Sequence, residues 1–194
     1  MKKISIICAF IMLASVHHSF AQSLLKRLEF GLKAGGNVSN FTNADFPTDP
    51  LYGFHGGVTV AFKVTNNFLI QEDILFSTQG AKIKGGALGT QDLKLDYVTL
   101  PFLLKYRGNS GLFIEAGPQF GMKINEKIEG VNTDNFAKKV DLAAVGGIGY
   151  QSKLGLGISA RYVYGLSKVA DFNISDISND YKNNTIQASL FYVF

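Results

Sequence analysis

Tryptophan is absent from this 194-residue sequence, cysteine occurs once, and charged residues make up only 18% of it. Each scarcity excludes something. The one cysteine, Cys8, lies in an N-terminal segment that reads as cleaved, so the chain left behind can form no disulfide. No cysteine follows the expected cleavage point to accept a lipid anchor. Beyond that leader no segment has the ~18 continuous apolar residues a membrane-spanning helix needs, the longest candidates being pieces such as Val98 to Leu104. If the chain crosses a membrane, it does so as a closed barrel.

What is present starts with a secretory signal. Lys2 and Lys3 form a charged start, Ile4 to Ser15 an apolar stretch, and Ser19-Phe20-Ala21 a small-x-small cleavage site, so residues 1–21 leave and 22–194 form the mature domain. Cys8, His17 and His18 leave with the signal, which makes His55 the one mature histidine. Basic residues fall from 19 to 17 against 15 acids, a balance too near neutral to suggest a nucleic-acid partner. About 170 residues make one domain. The 21 glycines, 16 phenylalanines and 8 tyrosines favour aromatic-rich strands joined by tight turns.

Period-2 alternation marks eight strands, near Phe30 to Asn40, Tyr52 to Lys63, Phe68 to Thr78, Leu93 to Arg107, Leu112 to Ile124, Val140 to Tyr150, Leu154 to Gly165 and Asn184 to Phe194. Short connections rich in turn-formers follow the even-numbered strands. Long polar ones follow the odd-numbered strands: Asn40 to Leu51, Gln79 to Asp92, Asn125 to Lys139 and Leu166 to Asn183. Long and short connections alternating over an even strand count predict an eight-stranded antiparallel up-and-down transmembrane β-barrel, with both ends in the periplasm. The adjacent acids Glu72 and Asp73 break the alternation and predict a bulge or a local register change. Tyr52, Tyr97, Tyr106, Tyr150, Tyr162, Tyr164, Tyr192 and Phe194 are expected to replace tryptophan in the aromatic girdles.

Eight strands leave an interior just wide enough for side chains to fill. The residues opposite the apolar faces include Lys33, Gln71, Asp73, Thr99, Glu115, Gln119, Asp141, Ser159, Arg161 and Gln187, which are expected to pair into a lumen network that plugs the pore. Leu190, Tyr192 and Phe194 end the chain in an outward aromatic pattern, read as the signal to the barrel-assembly machinery, with outer-membrane lipid as the surrounding partner. Phe41, Phe46, Phe136 and Phe172 in the long connections are candidate contacts for an extracellular or envelope protein, unless they pack against the rim.

Several segments resemble the PorT-type outer-membrane β-barrel proteins of Bacteroidota, often grouped loosely as porin-family proteins. They are Gly31-Leu32-Lys33-Ala34-Gly35-Gly36-Asn37, Asp73-Ile74-Leu75-Phe76-Ser77-Thr78-Gln79-Gly80, Tyr97-Val98-Thr99-Leu100-Pro101-Phe102-Leu103-Leu104-Lys105-Tyr106, Glu115-Ala116-Gly117-Pro118-Gln119 and Leu190-Phe191-Tyr192-Val193-Phe194. The resemblance implies an exported barrel in a Gram-negative outer membrane, with no shared catalytic constellation and no cofactor. It carries fold and location, not activity.

Candidate chemistry is sparse. Gly155-Leu156-Gly157-Ile158-Ser159-Ala160 matches a dinucleotide fingerprint, but its glycines alternate within a strand and no helix follows. Any Ser-His-acid site must use His55, near the external end of the second strand, and no motif sets a nucleophile beside it. Asp45 and Asp49, or Asp171, Asp176 and Asp180, have carboxylates suited to calcium but not the spacing of an EF-hand. Two rival readings stand beside the non-enzymatic barrel. In a soluble lipocalin-like barrel holding an apolar ligand, Phe54, Ile114 and Leu190 would point inward and Lys33, Glu115 and Arg161 outward. The other is a surface lipid-modifying enzyme built around His55.

Overall fold

The computed structural model describes residues 25–42, 47–86, 89–128, 138–169 and 181–194. Eight antiparallel strands follow one another around a closed barrel: β1 (Leu28–Thr42), β2 (Thr48–Lys63), β3 (Phe68–Gly86), β4 (Gly89–Arg107), β5 (Leu112–Ile128), β6 (Val140–Gln151), β7 (Leu156–Gly165) and β8 (Lys182–Val193). Pairing of β1 with β8, from Gly31 opposite Val193 to Thr42 opposite Lys182, closes the sheet and removes its edges.

Facing follows the period-2 rule. Phe30, Leu32, Phe54, Val58, Ile70, Ile114, Ile148, Ile158 and Leu190 lie exposed on the outer wall, while Lys33, Asp73, Glu115 and Arg161 are buried within. This is the reverse of what a lipocalin-like barrel requires, so that reading has no support. The outer wall is an apolar belt edged by Tyr52, Tyr106, Tyr150, Tyr162, Tyr164 and Tyr192. Tyr97 is not part of it. It shares the inward parity of Thr99 and Leu103 and is 3% exposed, inside the barrel.

At the end that holds both chain termini, residues 64–67, 108–111 and 152–155 make tight turns. Gly111 and Gly155 close the last two with φ of 91° and 86°, a left-handed backbone that glycine adopts without strain. At the opposite end β2 to β5 run further than alternation suggests. Most of the polar stretch from Gln79 to Asp92, expected as loop, is a paired hairpin: Gln79 lies opposite Leu95, Lys82 opposite Asp92, and Gly86 opposite Gly89. Ion pairs from Lys84 to Asp49 (2.7 Å) and from Lys82 to Asp92 (3.5 Å) tie these extensions together across strands.

The bulge expected at Glu72 and Asp73 does not occur. β3 holds one register against β2 from Leu69 to Ser77, so Asp73 points inward and Glu72 onto the outer wall, opposite Val60 and Phe102. The register shifts elsewhere, between Pro50 and His55 in β2, between Ile83 and Gly86 in β3 and between Asp96 and Tyr97 in β4.

Candidate functional site

The interior is built in tiers along the barrel axis. Nearest the termini, Arg107 donates to both carboxylate oxygens of Glu29 (3.0 and 2.8 Å) and to Gln151 Oε1 (2.6 Å), while Lys63 Nζ lies 2.8 Å from Glu29.

The next tier holds the densest charge. Arg161 donates from Nε to Glu115 Oε1 (2.5 Å) and from Nη1 to Asp73 Oδ2 (2.6 Å), and Lys33 Nζ donates to the same Asp73 oxygen at 3.2 Å. Gln71 relays the network by donating to Asp73 Oδ1 (2.7 Å) and accepting from Lys105, whose Nζ also lies 3.4 Å from Glu115 Oε2. All six residues are 4% exposed or less. Three cations face two carboxylates, leaving one positive charge in excess. Aromatic faces meet it: Lys105 Nζ sits 4.1 Å from the Phe113 ring centroid, and both Lys105 and Lys33 lie 5.6 Å from that of Phe191.

A glycine lets this tier form. Gly147 lies between Glu115 on β5 and Arg161 on β7 in the cross-strand register, and a Cβ there would stand 2.9 Å from Arg161 Cγ and 3.2 Å from Glu115 Cγ. Without a side chain on β6, the guanidinium and carboxylate meet over the intervening strand.

Above it lies a neutral tier around His55. Asn37 donates its Nδ2 to the carbonyls of Phe54 (3.1 Å) and Thr78 (3.0 Å) and to Ser77 Oγ (3.0 Å), which turns its Oδ1 toward His55 Nδ1 at 2.6 Å. Nδ1 therefore carries the proton, and Nε2 accepts from Ser189 Oγ at 2.8 Å. Gln79 extends this tier to Ser77, Asn183 and Thr185. Furthest from the termini an apolar cluster follows, with Phe41, Leu93, Leu95, Tyr97, Val169 and Tyr181 all buried. Burial raises the Tyr181 phenol above its usual range.

These positions sort the candidates read from the sequence. Lys33, Asp73, Glu115 and Arg161 meet in one network. Gln119 and Gln187 face inward and are buried, but do not join it. Asp141 lies toward the opposite end and accepts from Ser167 Oγ at 2.6 Å. Phe41 is not an exposed contact: it continues the inward parity of Lys33, Asn37 and Ser39, and its ring packs 5.1 Å from that of Tyr181. Phe46, Phe136 and Phe172 lie outside the described residues, as do Asp45, Asp171, Asp176, Asp180 and the signal segment. Asp49 is engaged by Lys84, and the described residues contain no cluster of three or more metal-ligating side chains. Lys105 and Asn37 escaped the sequence reading, although each has the inward parity of its strand.

Ser189, His55 and Asn37 form a nucleophile-base-orienter string that sequence spacing could not reveal. Catalysis also needs room for a reacting carbonyl beside the hydroxyl. Ser189 and His55 are 6% and 2% exposed, packed inside the wall. An open groove of about 1110 Å³ passes Ser189 on the outer face, but Ala34, Gly36, Ala160, Ala188 and Leu190 line it there, and the hydroxyl points the other way, to His55.

A closed antiparallel barrel with an apolar tyrosine-edged belt outside and ion pairs inside defines an integral membrane β-barrel. The chain belongs to the outer membrane protein beta-barrel domain family, which it matches over residues 20–171. No curated protein matches it in sequence. Solved structures share its fold. Neisserial surface protein A is 13% identical, with 85% of this chain and 97% of that one covered at a TM-score of 0.58. Ail of Yersinia pestis, solved in complex with the heparin analogue sucrose octasulfate, is 17% identical over 87% and 99% at 0.52. OprG of Pseudomonas aeruginosa is 12% identical over 86% and 95% at 0.50. At these identities the likeness is one of fold.

Proposed function

We propose that the protein is a non-enzymatic, PorT-type barrel of the Gram-negative outer membrane, exported by a cleaved signal, whose lumen is closed and whose external loops bind a partner or organise the envelope. The observation that carries this reading is the buried charge tier. Lys33, Asp73, Arg161, Glu115, Lys105 and Gln71 reach across the lumen from β1, β3, β4, β5 and β7, and the apolar cluster around Leu95 and Tyr181 backs them toward the outer end. Opening a path for ions would mean parting desolvated ion pairs. The outward terminal pattern of Leu190, Tyr192 and Phe194 supports delivery by the barrel-assembly machinery, and no nucleic-acid partner is implied.

Two measurements test it. Purified folded protein in planar bilayers is expected to give no steady conductance, and stable single-channel steps would overturn the closed-lumen reading. Replacing residues 129–137 and 170–180 with Gly-Ser connections should leave a heat-shifted folded band on gels while abolishing the envelope or binding phenotype. A phenotype unchanged by both replacements would overturn the loop assignment.

A further inference from the structure

The outer belt carries one charge. Along the described outward-facing positions, the belt reads Phe30 to Val38 on β1, Phe62 to Tyr52 on β2, Phe68 to Phe76 on β3, and Tyr106 to Val98 on β4. It continues through Leu112 to Ile124, Tyr150 to Val140, Leu156 to Leu166 and Phe194 to Ile186. Its outward positions are apolar, aromatic or glycine except at Glu72. Asn40, Thr78, Asp96, Lys94 and Lys182 all lie beyond the belt, toward the end opposite the termini.

Glu72 sits midway along its strand's share of the belt, between Ile70 and Ile74, with Val60 and Phe102 beside it on the neighbouring strands. It makes no hydrogen bond or ion pair among the described residues. Its chain neighbour Asp73, of opposite parity, faces inward into the ion-pair network, while Glu72 on the outer face contributes nothing to that tier.

With a strand rise of ~3.3 Å per residue and a tilt of ~40°, Glu72 lies about 10 Å from the belt edge at Phe68. A glutamate side chain is too short to cover that distance to the headgroups, so lipid amines are out of its reach. An acid held at such depth calls for a partner at the same depth. A second copy of this chain has none to give, because its described belt holds no lysine, arginine or histidine, and a symmetric contact would bring two carboxylates together.

We infer that the outer face of β2 to β4 around Glu72 is an intramembrane docking surface for a different transmembrane protein, whose spanning segment presents a lysine or arginine at matching depth. Val58, Val60, Leu100, Phe102 and Leu104 supply the apolar contact, and Glu72 supplies charge complementarity and register. This inference rests on membrane insertion, not on the proposed loop function, and the two fail separately.

The test uses the full chain in its own outer membrane, with benzoylphenylalanine at position 102 or, on the far side of the barrel, at position 190. Illumination is expected to give a discrete protein adduct from 102 and none from 190. Glu72→Leu should reduce that adduct at least tenfold, and mass spectrometry should place the cross-link in a membrane-spanning segment beside a lysine or arginine. In vesicles of dilauroylphosphatidylcholine, purified Glu72→Leu should unfold at higher urea than wild type, showing that the barrel itself does not use the acid. An adduct with a second copy of the chain, one undiminished by Glu72→Leu, or none but lipid would overturn the inference. A lower urea midpoint for both Glu72→Leu and Glu72→Gln in vesicles would do the same.

Discussion

Replacing Asp73 with Asn tests whether the interior network is balanced as its geometry implies. Asp73 accepts from Arg161 (2.6 Å), Lys33 (3.2 Å) and Gln71 (2.7 Å), and is fully buried. Its neutralisation leaves Lys33, Lys105 and Arg161 facing Glu115 alone, three cations on one carboxylate. Removing one partner from a buried ion pair costs about 3–5 kcal/mol. With a urea slope of about 2 kcal/mol per molar, the unfolding midpoint should fall by ~1.5–2.5 M. Arg161→Met is the instructive comparison, because it breaks two ion pairs yet removes the surplus charge. Lys33 then still faces Asp73, and Lys105 still faces Glu115 (3.4 Å). The loss should be smaller than for Asp73→Asn. The absence of tryptophan makes the heat-shifted band on unboiled gels, after equilibration with urea in lipid vesicles, the natural readout. If Arg161→Met destabilises more than Asp73→Asn, the excess-cation argument is wrong and stability follows the number of ion pairs instead.

Leu190→Arg places a charge on the outer belt and should cost about 2–4 kcal/mol near the midplane, whereas Gln187→Ala removes an inward amide whose Nε2 has no partner among the described residues; equal heat-shift stability of the two would refute the facing. Gly147→Val inserts a branched side chain between Arg161 and Glu115, where a Cβ alone stands 2.9 Å from Arg161 Cγ, and its urea midpoint should fall toward that of Asp73→Asn. The enclosure of Ser189 predicts that a fluorophosphonate probe leaves the folded protein unlabelled and that His55→Ala leaves the lipid A profile unchanged; labelling lost in His55→Ala would establish a reactive serine.

The strands were legible because an apolar outer wall and a polar lumen impose opposite chemistry on alternate residues, as along Gly31 to Asn40. Parity also reached Lys33, Glu115 and Arg161. It was misapplied at Phe41 and Tyr97, whose aromatic character suggested rim and girdle while their odd positions belong to the inward set. The hairpin from Gln79 to Asp92 was read as loop because Lys82, Lys84 and Asp92 are poor strand formers; cross-strand ion pairs and backbone pairing in one register from Gln79 to Ile83 hold it beyond the belt. Adjacent acids suggested a bulge, but a regular strand accommodates them by sending one to each face. Contacts such as His55 with Ser189 were out of reach, since they depend on β8 closing against β1 and on the register of that closure.

The charge tier also bears on how the barrel is made. Asp73 meets Lys33 and Arg161, which lie 40 and 88 residues away in the chain, and Glu115 meets Arg161 at a separation of 46. Between them these contacts draw on strands from both halves of the sequence. A partly inserted sheet of β1 to β5 therefore carries a cation-acid set still missing its central arginine, in a place where water is leaving. Such high contact order delays the reward for assembly until late in the process. Stepwise insertion, hairpin by hairpin, would bring Arg161 as a third cation into a dry interior where Lys33 and Lys105 already balance Asp73 and Glu115. The favourable route keeps the nascent lumen hydrated until β7 arrives, so that dehydration of the interior and closure of the β1–β8 seam become one cooperative event.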